Sequence, residues 1–248
     1  ISIYEGQWQN DKKHGMGVIK YLKNKQIVSS YEGQWVNGDI HGYGKKTSEF
    51  STYEGDWQNN ERNGKGKETS DFSTYDGDWQ NNEKHGKGKE TSEFYTYDGD
   101  WRNNERHGYG IESIKDGSVY KGQWIKGVKH GKGIETFGSF KYDGDWRNNE
   151  RHGKGKETSE FSTYEGDWLN GNKHGKGKET SEYSTYEGDW LNGNKHGNGK
   201  ETMYDGTVNE GKWIIGKKEG KGTITTGDYI ENVTWKNDEI ISDNQTLD

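Results

Sequence analysis

Tryptophan recurs along this chain at positions 8, 35, 57, 79, 101, 124, 146, 168, 190, 213 and 235. The step is 22 residues, apart from one of 27 and two of 23. A chain with such a period is an array of stacked small units, not a globule around one core. Around the first ten indoles the frame is constant, with Gly two residues before, Gly seven after and Gly nine after, usually with Tyr four before and His six after. The clearest copies run Tyr-Glu-Gly-Asp-Trp-Leu-Asn-Gly-Asn-Lys-His-Gly-Lys-Gly at 164–177 and again at 186–199, where Asn198 replaces the last Lys. The eleventh copy is degenerate, with Val233 in place of Gly and Ile241 in place of His. It reads as the cap that a repeat array requires. The expected organisation is one array over 1–235, followed by a terminal strand and acidic tail over 236–248.

Within a copy, Tyr, Gly and Trp at i, i+2 and i+4 share one face of an extended strand, and acidic residues take the other. The Asn, Gly and Lys that follow suit a turn, and Gly-x-Gly opens a second strand. Each copy is therefore expected to be a β-hairpin. A four-residue loop, Asn170 to Lys173, would set Trp168 opposite Gly175 and Gly166 opposite Gly177. Acids would then face lysines: Glu165 and Lys178, Asp167 and Lys176, Glu54 and Lys67, Asp56 and Lys65, Asp76 and Lys89, Asp78 and Lys87. A second four-residue loop pairs Thr158 with Thr163 and Glu157 with Tyr164. The expected fold is all-β: an elongated, twisted antiparallel meander in a single layer, a solenoid-like rod advancing about 10 Å per copy. The long step between Trp8 and Trp35 predicts an extended hairpin loop, Tyr21 to Ser30, projecting from the rod.

Composition bounds the chemistry. Apolar residues are 25% of the chain and aromatics alone 13%, so any core is aromatic. Thirty-nine Gly and no Ala argue against long helices. The absence of Cys excludes disulfides, thiolate metal sites and thiol catalysis. No apolar run reaches membrane-spanning length. The net charge of −7 weighs against nucleic acid and against anionic lipid, both of which need a positive surface. Ile1 in place of Met leaves room for a leader or an upstream domain.

The histidine column, His14, His41, His85, His107, His130, His152, His174 and His196, invites a metal or proton-relay reading. Neighbouring copies would hold their imidazoles about 10 Å apart, whereas one zinc ion needs ligands at about 2.1 Å. A structural role for the column is therefore expected, and no metal site. The Gly-x-Gly pairs open strands and offer no helix N-terminus to a phosphate. Carboxylates and imidazoles recur periodically and do not converge on a cleft, and no nucleophile elbow is present. No catalytic residue and no cofactor is expected.

The Tyr-x-Gly-x-Trp…His-Gly-x-Gly frame resembles the MORN repeat (membrane occupation and recognition nexus), from Tyr4 to about Trp235. Most copies carry Ser-Glu-Phe-Ser-Thr where the family's usual linker looks more like Asp116-Gly117-Ser118 or Asp205-Gly206-Thr207. The resemblance implies a twisted sheet of hairpins with an aromatic groove, serving as scaffold or adaptor in cytoskeletal, ciliary or membrane-junction assemblies. It also implies a cytoplasmic location, associated with the cytoskeleton or a membrane.

On that footing a protein-binding groove is expected along Tyr53, Trp57, Tyr75, Trp79, Tyr97, Trp101, Tyr120, Trp124, Tyr142, Trp146, Tyr164, Trp168, Tyr186 and Trp190. Glu90, Glu112, Glu135 and Glu157 fall on the same face, together with Glu68, Glu179 and Glu201. Such a groove would take a peptide or helix with apolar and basic anchors. Two readings stay open: the groove is accessible, or the rings fill it and partners bind elsewhere. Two other functions are weighed against the scaffold, a module tethered to anionic lipid and a microbial surface or secreted repeat protein. The N-terminal edge, Ile1 to Tyr4, carries no guard against strand pairing, which suggests a homodimer through an end strand.

Overall fold

The computed structural model describes residues 1–241. Among these there are 22 strands and no helix. Contacts divide the chain into two compact units, Ile1–Val128 and Lys129–Asp248. In each, every strand pairs antiparallel with its neighbours in sequence, so each unit is a meander of hairpins. The expected all-β fold is thus present. The acidic tail anticipated beyond Ile241 lies outside the described residues.

One hairpin of the second unit, Ser162–Leu169 with Asn172–Ser181, serves as the pattern for the rest. Its register follows the sequence reading at one end only. Gly166 faces Gly177 and Glu165 faces Lys178, and Glu54 with Lys67 and Asp76 with Lys89 obey the same rule in the first unit. Between copies, Glu157 pairs with Tyr164 and Thr158 with Thr163, as expected.

At the turn end the reading is corrected. The turn has two residues, Asn170 and Gly171, both at positive φ (49° and 80°). Such a turn matches the right-handed twist of the flanking strands, which a four-residue loop does not need to do. Trp168 consequently lies opposite Lys173 and Asp167 opposite His174, not opposite Gly175 and Lys176. The two residues left over form a β-bulge at Gly175, which takes φ +57°. The same bulge separates Asp78 from Lys87, since Asp78 pairs with His85. It also separates Asp56 from Lys65, where Trp57 pairs with Arg62.

The aspartate nevertheless meets its lysine through the backbone. The Lys176 N–H donates to Asp167 Oδ2 at 3.0 Å, and the Lys65 N–H to Asp56 Oδ2 at 3.0 Å. The lysine ammonium is free to reach the next copy, where Lys176 meets Asp189 and Lys65 meets Asp78, each at 2.5 Å. One aspartate thus plugs its own bulge and also receives the previous copy's lysine.

Adjacent copies are also joined at their turns. Where the turn is Asn-Asn, the second Asn accepts a hydrogen bond from the preceding copy: Arg62 N–H to Asn82 Oδ1 at 2.9 Å, and Lys84 N–H to Asn104 Oδ1 at 2.9 Å. In the copies with Asn-Gly turns, the glycine N–H bonds back to the preceding copy's carbonyl, Gly171 to Arg151 and Gly193 to Lys173. The long step near the N-terminus is not a projecting loop over Tyr21 to Ser30 but is taken up by lengthened, paired strands, Lys12–Lys23 and Gln26–Val36, closed by a two-residue turn at Asn24 and Lys25.

Cross-strand glycine pairs such as Gly55 with Gly66 and Gly166 with Gly177 are each roofed by a tyrosine of the same hairpin. A Cβ on Gly166 would lie 2.6 Å from the Tyr164 hydroxyl, from Gly177 Cα and from the Lys176 carbonyl oxygen. Replacing Gly166 with Ala is therefore expected to lower stability by about 1–3 kcal/mol, read as a lower urea midpoint. An unchanged midpoint would show that ring and backbone are not in contact there.

Candidate functional site

The aromatic face was the expected site, and its geometry begins with the glycine pairs. With no side chain at Gly55 and Gly66, the Tyr53 ring settles over them and its hydroxyl donates to the Asp56 carbonyl at 3.0 Å. The indole rests on the preceding copy. Trp57 Nε1 donates to the Gly44 carbonyl at 3.1 Å, and Trp79 Nε1 to that of Gly66 at 2.9 Å. In the second unit, Trp168 donates to Gly155 and Trp190 to Gly177, each at 3.2 Å. The glycine floor expected from the Trp's own hairpin is supplied for these indoles by the preceding copy instead, as where Trp168 faces Gly153.

Tyr and Trp therefore alternate in an edge-to-face ladder. In the first unit each ring centroid lies 5.0 to 5.5 Å from the next, as in Tyr53 with Trp57 and Tyr31 with Trp57. The second unit repeats this from Tyr142 with Trp146 to Tyr186 with Trp213. Edge-to-face contacts contribute about 0.5–1.5 kcal/mol each beyond their buried area. Where the tenth copy has Asn209 in place of Tyr, the Trp235 ring occupies the space over Gly211 and Gly222.

The rings expected to line a groove are the core. Tyr53, Trp57, Tyr75, Trp79, Tyr97, Trp101, Tyr120, Trp124, Tyr142, Trp146, Tyr164, Trp168, Tyr186 and Trp190 are all between 0% and 5% exposed. What covers most of them is a column of cations five residues after Trp, at Lys13, Arg62, Lys84, Arg106, Lys129, Arg151, Lys173, Lys195 and Lys218, with Ile40 and Ile240 in that position after Trp35 and Trp235. Arg62 lies 4.0 Å from the Trp79 ring and 5.5 Å from that of Tyr53. Arg106 covers Tyr97 and Trp124, and Arg151 covers Tyr142 and Trp168. Lys84, Lys173 and Lys195 stand in the same position over their own rings.

The glutamates of this face do share it with the rings, and they are occupied by those cations. Glu90 pairs with Lys84, and Glu112 with Arg106 at 2.5 Å. Glu135 pairs with Lys129 and Glu157 with Arg151, both at 2.6 Å. The chain thus supplies to itself the aromatic and cationic contacts that a basic partner would make. A Lys or Arg five residues after nine of the eleven Trp is the sequence signal for this cover, hidden because it borders the turn.

The opposite face carries an open groove of about 1460 Å³ in the second unit. Glycine backbone floors it at Gly155, Gly166, Gly177, Gly188, Gly199 and Gly211, and Lys156, Glu165, Lys178 and Glu187 are among its walls. Lysine and carboxylate alternate there, and Lys154 meets Asp167 at 2.5 Å. For Asp167 and Asp189, partial burial alone would raise the carboxyl pKa. Hydrogen bonds from a lysine ammonium and a bulge N–H outweigh it and hold both groups below their ordinary value.

Histidines sit half-buried beside the bulges, with His85 opposite Asp78 and His174 opposite Asp167. Among the described residues no three His, Asp or Glu side chains are grouped to hold a metal ion. No helix among them is long and apolar enough to cross a membrane.

These features define a class: an all-β repeat protein whose hairpins are welded by Tyr and Trp rings over glycine pairs. The repeat profile described as MORN repeat matches ten segments, 4–21, 31–49, 53–71, 75–93, 97–119, 120–139, 142–160, 164–182, 186–208 and 210–229. The chain belongs to the MORN-repeat family. No curated protein matches it.

Ring burial makes alkaline titration diagnostic. Burial pushes the phenol pKa of Tyr31, Tyr53, Tyr75, Tyr97, Tyr142, Tyr164 and Tyr186 far above its ordinary value. The folded state favours the neutral phenol, so this contribution to stability is complete below about pH 10 and is lost as pH rises beyond it. Absorbance near 295 nm reads phenol ionisation directly. The buried set should ionise only in a step that coincides with loss of the β signal. One smooth titration of all tyrosines, with structure retained, would contradict the packing.

Proposed function

We propose that this chain is a non-enzymatic scaffold that holds protein partners at regularly repeated positions. The observation that carries this reading is the use of the aromatic face as core under the chain's own cations. Partner contact then falls to the charged face and to the loops, where each copy repeats nearly the same side chains. Repetition at a fixed interval suits a long or repetitive partner and multiplies weak contacts through avidity. Cytoskeletal, ciliary and membrane-junction assemblies are the settings to which the family resemblance leads.

A catalytic role lacks a convergent site: ionisable groups recur once per copy, and the open groove has no enclosed pocket in which a general base is set against a reacting group. A role founded on anionic lipid is disfavoured by the negative net charge. Proximity labelling by the tagged full chain in its native cells, paired with vesicle sedimentation of the purified chain, separates the two. The scaffold reading expects a reproducible set of protein neighbours and no sedimentation with anionic vesicles at physiological salt. Sedimentation with those vesicles and no protein set above background would overturn it.

A further inference from the structure

The loops that join successive copies carry a feature the fold does not use. Phe50, Phe72 and Phe94 in the first unit, and Phe161, Tyr183 and Tyr204 in the second, stand at consecutive loop tips and are 65% to 90% exposed. Their rings do not make the turns. In the second loop of the first set, the Ser70 hydroxyl accepts from the N–H groups of Phe72 and Ser73 and donates to the Ser73 carbonyl. Other copies close the same connection without a tip aromatic, at Asp116 and Gly117 or at Gly138 and Ser139. Folding therefore does not demand these rings, and six solvent-facing aromatics carry a solubility cost that turn formation leaves unexplained.

Each tip ring also has a carboxylate beside it in sequence: Glu49, Asp71, Glu93, Glu160, Glu182 and Asp205. Glu93 reaches Lys115 at 3.8 Å. Among the described residues, the carboxylates of Glu49, Asp71, Glu160 and Glu182 have no cation within ion-pair distance. Neighbouring tips are tied together, since the Tyr204 N–H donates to the Tyr183 carbonyl at 2.9 Å. Tyr183, Met203 and Tyr204 line a hollow of about 490 Å³ with Glu182 and Asp205 at its rim. An apolar hollow edged by two carboxylates suits an apolar anchor with a Lys or Arg beside it.

Resting on the scaffold reading above, we propose that each set of three acid-and-aromatic tips is a docking surface for a basic amphipathic helix of a protein partner. Two strand spacings separate successive tips by about 10 Å. A helix rising about 1.5 Å per residue covers that distance in about seven residues, so one apolar residue per heptad meets each ring and flanking lysines meet the carboxylates. The same carboxylates disfavour insertion of the tips into an anionic bilayer.

The test uses the full chain and a fluorescent synthetic helix of about 21 residues, with Leu at every seventh position flanked by Lys. A second peptide has Glu in place of Lys. The native chain is expected to bind the basic peptide and not the acidic one. Adding Phe50→Ser, Phe72→Ser and Phe94→Ser together with Phe161→Ser, Tyr183→Ser and Tyr204→Ser should weaken binding at least about tenfold. Exchanging Glu49, Asp71, Glu160 and Glu182 for their amides should weaken it and reduce its salt dependence. Unchanged circular dichroism establishes that the variants are folded.

The proposal is overturned if the native chain does not bind the basic peptide or if the folded ring variant binds as well as the native chain. Equal binding of both peptides overturns it too, as does ring-dependent binding of the native chain to phosphatidylcholine vesicles in place of peptide. If these results go against the tips while the full chain keeps its protein neighbours in cells, this surface is withdrawn and the scaffold reading stands.

Discussion

An aromatic ring lying flat on a pair of cross-strand glycines is the contact from which the rest of the structure follows. A side chain at either glycine would hold the ring away from the backbone, and a smaller residue in place of tyrosine would leave the pair uncovered. With Tyr53 over Gly55 and Gly66, and Trp79 bonded from its indole to the Gly66 carbonyl, each hairpin is locked to itself and to the next one. A chain with only 25% apolar residues can fold this way because each ring is used on both of its sides. Such a sheet has no second layer in which to hide its aromatics. It covers them with its own Arg and Lys side chains, pinned in turn by the glutamates opposite.

That arrangement redistributes function across the molecule. The ring face, attractive to a basic partner on composition alone, is already saturated by Arg62, Arg106, Arg151 and their lysine counterparts. The glycine stripe has rings on one side and a trough between lysines and carboxylates on the other. The loops between copies carry exposed aromatic rings, among them Phe72 and Tyr204. These tip rings take no part in closing their turns, which the Ser70 hydroxyl does in the loop of Phe72.

The sequence made the hairpins legible because Tyr, Gly and Trp at alternate positions admit one strand face, and because Glu165 and Lys178 mark the register beside the glycine pair. It hid the turn-side register. Asn170 and Gly171 both adopt positive φ and Gly175 takes a bulge, so Asp167 meets the Lys176 N–H and leaves the ammonium for Asp189. Charge complementarity survives in either arrangement, so it could not choose between them. The cation cover was hidden for a different reason: Lys173 reads as a turn residue until the two-residue turn places it directly opposite Trp168. The burial of the rings, and with it the fate of the expected groove, depended on that one step.

Quenching of tryptophan fluorescence by iodide tests the central packing relation most directly. Trp8 is 59% exposed, whereas the other ten indoles are 5% exposed or less. One small, readily quenched component assigned to Trp8, removed by Trp8→Phe, is expected above a large shielded one. Uniform quenching of the whole emission in the folded chain would mean that the indoles face solvent and that the rings are not the core.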